Sequence, residues 1–255
     1  TINKDKSRVS GGDNLQKKRI IFIGGSLTQG WAVDDLETFS SFIQKRNKKY
    51  KISNFGVGAY GGFQSLLLLE KIFNNDKDIE LVIYGYIPHH EVRNVAAGSW
   101  MYLLNFFSTR GFIKLPYASI DKDNNLVRNN PIKYINLPFG NKSALIAKLE
   151  KKIMKIKSLK REYKKFEISK AIIKEMNKIS NTHKIKWCKE GVLFYSIRGE
   201  EGEESTQGKI NFLKTFLGLS SNSFYFNPTE RGLAQLIARK VVILRLALVS
   251  ELTTE

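Results

Sequence analysis

Short apolar runs alternate with amphipathic stretches over the first ninety residues of the chain. Three runs rich in β-branched and aromatic residues are each followed by glycine or proline, and they predict buried strands over residues 19–24, 50–55 and 81–87. Helices are predicted between these strands, over residues 38–48 and 63–74. Strands that alternate with helices indicate an α/β fold built on a parallel sheet.

The remainder of the chain shows a weaker pattern. Residues 99–141 are aromatic and without a clear period, so we predict an irregular region there. Residues 142–181 are predicted to be helical, as two helices or one bent helix, with a solvated face of lysines. Their apolar positions recur near the helical period: Leu145, Leu149, Ile153, Ile156 and Leu159. A strand over 192–197 and helices over 209–216 and 231–248 are predicted to close the chain.

The length of 255 residues fits one α/β domain that carries an insertion. We therefore predict a single domain over residues 1–255, with a mostly helical insertion at about 99–181. Residues 1–18 are polar and are interpreted as a lead-in segment, in which the first dozen residues are expected to be disordered.

The chain has a formal net charge of +18 at pH 7. Such a charge occurs in proteins that bind nucleic acid, anionic membranes or acidic glycans, and also in proteins of lysine-rich proteomes. The lysines are spread along the chain, so nucleic-acid binding is disfavoured, while contact of region 142–186 with a membrane surface or an anionic polymer remains an alternative. The sequence contains no run of 18 apolar residues, so no membrane-spanning helix is predicted. The single cysteine, Cys188, has no second cysteine with which to form a disulfide.

A serine follows the first predicted strand directly. Ser26 comes after Gly24 and Gly25, which permit a sharp turn at the carboxyl edge of the sheet, where open α/β sheets place their reactive groups. A hydroxyl there could act as a nucleophile beside backbone N–H groups, or it could simply cap a helix. The stretch is not a phosphate-binding P-loop, because no Gly-Lys-Ser/Thr follows.

Two blocks of sequence resemble the GDSL/SGNH ester hydrolases. The first is GGSLTQGW over residues 24–31, and the second is NFGVGAYG over residues 54–61, followed by Gln64. The resemblance implies a three-layer α/β/α fold with a central parallel sheet, similar to flavodoxin, and no metal or organic cofactor. It also implies that Ser26 is the nucleophile. The backbone N–H groups of Ser26 and Ala59 would stabilise the oxyanion, provided that φ of Ala59, a glycine position in the family, stays negative.

The third block of the family ends in Asn-Asp, and here His89 and His90 occupy those positions. By the resemblance, His89 would donate to the oxyanion, and His90 is the best remaining base, with Glu91 or a residue of the acidic loop at 200–204 orienting it. The alternative is that both histidines cap loops. Arg93 could hold an acidic substrate group or brace the loop, and bracing is the commoner role.

The fourth block departs from the family. The pattern Asp-x-x-His is replaced, because Phe224 stands at the aspartate position and Asn227 at the histidine position, although Pro228 and Gly232 fit. An asparagine cannot take the proton of a serine hydroxyl. Either the base has moved to the histidine pair, or the protein binds without cleaving, or the histidine was replaced deliberately. The third histidine, His183, is expected to be exposed.

These observations predict a serine ester hydrolase or acyl transferase that acts on acyl esters of carbohydrates, lipids or small molecules. The alternative is a catalytically degenerate protein of the same fold that binds an acylated or anionic glycan. The resemblance also favours an extracytoplasmic location, with an N-terminal signal or anchor removed.

Overall fold

The computed structural model describes residues 1–11, 18–47, 49–76, 78–108, 113–140 and 142–187. The predicted strand at 192–197, the two closing helices, Cys188, Phe224 and Asn227 lie outside these residues.

The strands and helices of the first ninety residues are confirmed, with ends that differ by at most two residues. The strands are β1 (Arg19–Gly24), β2 (Lys51–Gly56), β3 (Ile79–Gly85), β4 (Lys114–Ile120), β5 (Leu126–Lys133) and β6 (Lys186–Trp187). The helices are α1 (Ser26–Gln29), α2 (Phe39–Arg46), α3 (Gly62–Asn75), α4 (His90–Asn94), α5 (Gly98–Phe107), α6 (Ala144–Tyr163) and α7 (Lys165–Thr182).

Four of the strands form a parallel sheet in the order β2-β1-β3-β6. Ile21 and Ile23 of β1 pack into a core shared with α3 and α7. Ile20 and Phe22 point to the other face, where Phe22 meets Phe39 of α2 edge to face with ring centroids 5.0 Å apart. Helices therefore cover both faces of the sheet, and the three-layer α/β/α fold with a central parallel sheet is confirmed.

The N-terminal segment is ordered over residues 1–11, so the expectation of disorder is wrong there. Arg8 is buried and pairs with Asn54 as an antiparallel bridge on the outer side of β2. Its guanidinium donates to the carbonyls of Gln29, Gly30 and Val33. The polar composition misled the prediction, because the segment is held by hydrogen bonds and not by apolar burial.

Residues 99–141 contain a helix and a hairpin, so the prediction of an irregular region is wrong. The hairpin pairs β4 with β5 in antiparallel register, with an irregularity at Pro116, which has no N–H to donate to the ladder. Helix α5 shows no clear period because Phe106 and Phe107 at its end are exposed. The hairpin packs over α3 and α7 and buries Ala118.

Helices α6 and α7 confirm the prediction of two helices, but α6 turns an unexpected face towards the protein. An apolar stripe normally faces a core, yet four of the five residues of this stripe are exposed, Leu145 78%, Leu149 49%, Ile156 59% and Leu159 53%, and only Ile153 is partly buried. The buried residues are Glu150, Met154 and Ser158. Gly98 of α5 lies against the backbone of Met154 and donates its N–H to Ser158 Oγ, while Glu150 accepts from Leu137 N–H. Close helix contact, buried hydrogen bonds and the packing of Met154 against Met101 and Tyr134, and not the apolar stripe, thus set the orientation of α6.

None of the helices in the described residues is long and apolar enough to cross a membrane.

Candidate active site

A row of three glycines lies at the carboxyl edge of the sheet. Gly24 of β1 is level with Gly56 of β2 on one side and with Gly85 of β3 on the other. A Cβ at Gly24 or Gly85 would collide with the side chain of Thr28, and one at Gly56 would collide with the backbone of Gln29. The missing side chains therefore let the short helix α1 sit directly on the ends of three strands.

Ser26 is the first residue of α1, where it follows the strand and the turn at Gly25. Its side chain is neither buried nor fully exposed. Asn54 Nδ2 donates to Thr28 O at 2.7 Å and fastens the helix to β2. As a residue of the first turn, Ser26 has an N–H without a partner inside the helix, which leaves this group free to bind an oxygen atom.

Ala59 lies in the loop after β2, and its backbone departs from the expectation. Its φ is +70°, in the left-handed region, so the expected negative φ is wrong. The turn requires this geometry, for which a glycine would be the natural choice. Ala59 is exposed, and its N–H makes no hydrogen bond within the described part of the chain. The N–H of Ala59 is therefore unpaired within the described residues, but the negative φ on which its oxyanion role was conditioned is not present, and the alanine holds this backbone at a conformational cost.

His90 is the first residue of α4 and is fully buried, with 0% of its surface exposed. Its Nδ1 lies 2.7 Å from Tyr84 Oη, while its Nε2 has no hydrogen-bond partner in the described residues. A Cβ placed on Gly25 would lie 2.8 Å from Nε2. The imidazole thus abuts the residue before Ser26, but Ser26 Oγ is not hydrogen-bonded to it.

The protonation of His90 is set by its surroundings. Burial, followed by the charges of Arg93 and His89, lowers the pKa of His90 to about 3. The ring is therefore neutral near pH 7. A neutral imidazole can donate or accept one hydrogen bond, but so low a basicity makes proton uptake from a serine costly.

His89 and Glu91 flank the buried imidazole and differ in environment. His89 precedes α4 and is exposed, whereas Glu91 is buried and accepts a hydrogen bond from Tyr86 Oη at 3.0 Å. The described structure shows no hydrogen bond between Glu91 and His90. The group that orients His90 is Tyr84, which the sequence analysis missed because a tyrosine inside an apolar strand looks like ordinary core.

Arg93 braces the neighbouring loop. Its Nη1 donates to Tyr60 O at 2.9 Å, and its guanidinium lies over the Trp100 ring at 4.4 Å. Arg93 is 7% exposed, and its Nε has no partner within the described residues. Burial lowers the pKa of Arg93. No carboxylate forms an ion pair with it in the described part of the chain, so its charge is uncompensated there.

The other predicted residues do not join this cluster in the described structure. His183 is exposed at the end of α7, just before β6 enters the sheet beside Leu81, at the amino end of β3. It therefore lies at the edge opposite Ser26. Phe224 and Asn227 lie outside the described residues, and the described residues contain no group of side chains able to hold a metal ion.

No family model matches the chain, and no curated protein matches its sequence. Among solved structures, the chain is similar to AlinE4, described as an SGNH-hydrolase family esterase. The two are 14% identical, the match covers 92% of this chain and 99% of that one, and the TM-score is 0.29.

Proposed function

We propose that this protein is a serine ester hydrolase or acyl transferase of the GDSL/SGNH type, with Ser26 as the nucleophile. The observation that carries the proposal is the meeting of three elements at one edge of the sheet. Ser26 follows β1, a free Ala59 N–H follows β2, and His90 follows β3 with an unpartnered nitrogen against Gly25. Carboxyl ends of parallel strands are where α/β proteins act on ligands.

The proposed reaction begins with attack of Ser26 Oγ on the carbonyl carbon of an acyl ester. The hydroxyl proton passes to an imidazole of the His89–His90 pair, and the carbonyl oxygen becomes an oxyanion that accepts from the N–H groups of Ser26 and Ala59. Collapse expels the alcohol, which takes up the proton, and leaves an acyl-serine. Water or a second alcohol then receives the acyl group. Carbohydrate, lipid and small-molecule esters are the proposed substrates, with no metal or organic cofactor.

A second function is a binding protein for an acylated or anionic glycan, without turnover. It is favoured by the low basicity of His90 and by the absence of a hydrogen bond from His90 to Ser26. The sequence supports it too, since Phe224 and Asn227 replace the acid and base of the family. Catalytic hydrogen bonds are often long before substrate binds, so the geometry is compatible with either function.

Reaction with a fluorophosphonate probe separates the two functions. If Ser26 is a nucleophile, the full-length protein is labelled covalently and hydrolyses p-nitrophenyl acetate or butyrate, and Ser26→Ala abolishes both. Ser99→Ala is the matched control, because Ser99 is an exposed serine of α5. Absence of labelling, with equal background rates in all three proteins, contradicts the enzyme proposal.

The alternative of a binding protein without turnover predicts what happens when the fourth block is restored. If activity was lost through that block, the double variant Phe224→Asp, Asn227→His gains labelling and ester hydrolysis over the wild type. If the wild type is already active and the double variant adds nothing, the enzyme proposal is favoured.

A further inference from the structure

Tyr84 and His90 form a buried pair beneath the Ser26 turn. Tyr84 Oη and His90 Nδ1 are 2.7 Å apart, and the two rings are stacked with centroids separated by 5.7 Å. The exposed fraction is 2% for Tyr84 and 0% for His90. Neither ring can exchange this contact for water, so the direction of the hydrogen bond between them has a large energetic consequence.

The direction follows from the donor and acceptor strengths of the two groups. Burial raises the pKa of Tyr84 above its ordinary value, so its hydroxyl stays protonated. His90 Nδ1 is the acceptor that the described structure offers to this hydroxyl. A phenol O–H is a stronger donor than a neutral imidazole N–H, and an imidazole nitrogen is a stronger acceptor than a phenol oxygen, so the hydrogen bond is stronger when Tyr84 donates to Nδ1 than when Nδ1 donates to Tyr84. Tyr84 therefore donates, and the neutral ring of His90 carries its proton on Nε2.

We propose that His90 serves the Ser26 site as a neutral hydrogen-bond donor and not as the base, and that Tyr84 is the positioning residue that fixes its Nε2–H tautomer. A nitrogen that bears a proton has no lone pair with which to take one from Ser26. The role in catalysis rests on the proposed function, whereas the tautomer does not.

The surroundings of Nε2 favour a negatively charged oxygen as its acceptor. The Cβ position of Gly25 lies 2.8 Å from His90 Nε2 and 3.2 Å from Arg93 Nη1, so both donors converge on the residue before Ser26. The guanidinium has no carboxylate partner in the described residues and leaves positive charge beside a free donor. An oxyanion formed at Ser26 would be stabilised by both groups.

Nitrogen-15 NMR of the full-length protein, labelled in histidine, tests the tautomer without any need for activity. We expect a protonated Nε2 and an unprotonated Nδ1 for His90, unchanged between pH 5 and 8. Tyr84→Phe should abolish this preference, and Tyr86→Phe is the matched control, because Tyr86 is a buried tyrosine of the same segment that donates to Glu91. A protonated Nδ1, or a titration of His90 between pH 5 and 8, overturns the proposal.

Kinetics then test the role of the donor. Removal of one oxyanion donor typically lowers kcat by about 10²–10³-fold, so His90→Ala should lose this factor, while His90→Gln, whose amide can donate, should retain part of it. His90→Gln as inactive as His90→Ala, in proteins that both fold, overturns the donor role. A Ser26 that fails to react in the wild type overturns the proposed function and leaves the NMR result to decide the tautomer.

Discussion

Ala59 holds a backbone conformation that an L-residue adopts at a cost of about 1 kcal/mol, because its Cβ crowds the neighbouring carbonyl at φ +70°. Replacement by glycine removes this crowding but makes the unfolded chain more flexible. We expect Ala59→Gly to raise the free energy of unfolding by about 0.5–1 kcal/mol, measured by urea denaturation.

The same alanine-to-glycine change in an unstrained helix should lower the free energy of unfolding instead of raising it. Ala147 lies inside α6, where Ala→Gly lowers the free energy of unfolding by about 1 kcal/mol. If both variants lose stability to the same extent, the left-handed geometry of Ala59 is not present in solution.

Gly25 is restricted by packing and not by its φ of −88°. A Cβ there would meet His90 Nε2, Tyr60 O at 3.1 Å and Arg93 Nη1. We expect Gly25→Ala to displace the imidazole and the guanidinium, and to lower the free energy of unfolding by about 1–3 kcal/mol. Chemical denaturation, with the His90 NMR signals as a local probe, measures both effects.

Gly58→Ala provides the comparison, since its added Cβ would approach only the flexible end of Gln29, at 3.2 Å. A change of no more than about 0.5 kcal/mol is expected there. A Gly25 variant as stable as this control would mean that the polar atoms over Gly25 are free to move aside.

In helix α6, the residues that contribute most to stability are not the ones that its apolar pattern suggests. Met154 is buried and Leu149 is half exposed. We expect Met154→Ala to lower the free energy of unfolding by about 2–4 kcal/mol, because it leaves a cavity against α5. Leu149→Ala should cost less than about 1 kcal/mol. Thermal denaturation of the two variants measures which face of α6 is packed. A larger loss of stability in Leu149→Ala than in Met154→Ala would show that the face carrying Leu149 is covered in solution.

The sequence predicted the sheet and its helices well because buried parallel strands are continuous apolar runs, as in Ile20–Ile23. It predicted α6 as a helix but not the face that is buried, because Glu150 and Ser158 are buried through partners on other elements, which a local period cannot reveal. At the site, the position of Ser26 after β1 could be predicted from the glycines before it, whereas Ala59 was proposed through the family resemblance and the expected sign of its φ was wrong. The Tyr84–His90 pair could not, since it depends on a contact between the interior of a strand and the helix that follows it.

The buried neutral His90 links the stability of the protein to pH. Its pKa of about 3 lies below the ordinary value of 6.5, so the unfolded state binds the proton more tightly. The stabilisation is present above pH 6.5 and is lost as the pH falls towards 3, with a slope of up to about 1.4 kcal/mol per pH unit.

Denaturation of the wild type between pH 7 and 4 measures this slope. His90→Gln cannot be protonated at this position and should show a flatter dependence. Equal slopes in the wild type and His90→Gln would contradict a buried neutral His90.

The glycine row has a consequence for how this protein tolerates change. Gly24, Gly56 and Gly85 make room for a single turn of helix, so enlarging any one of them disturbs the same three strand ends. In a saturation library sorted for folded protein, substitutions at all three of these glycines should be depleted. Alanine at Gly58, in the adjoining loop, should be tolerated. Three glycines in register on neighbouring strands, with a threonine side chain in contact with them, also form a geometric pattern. Distant proteins with the same turn could be recognised by this pattern when their sequences have diverged.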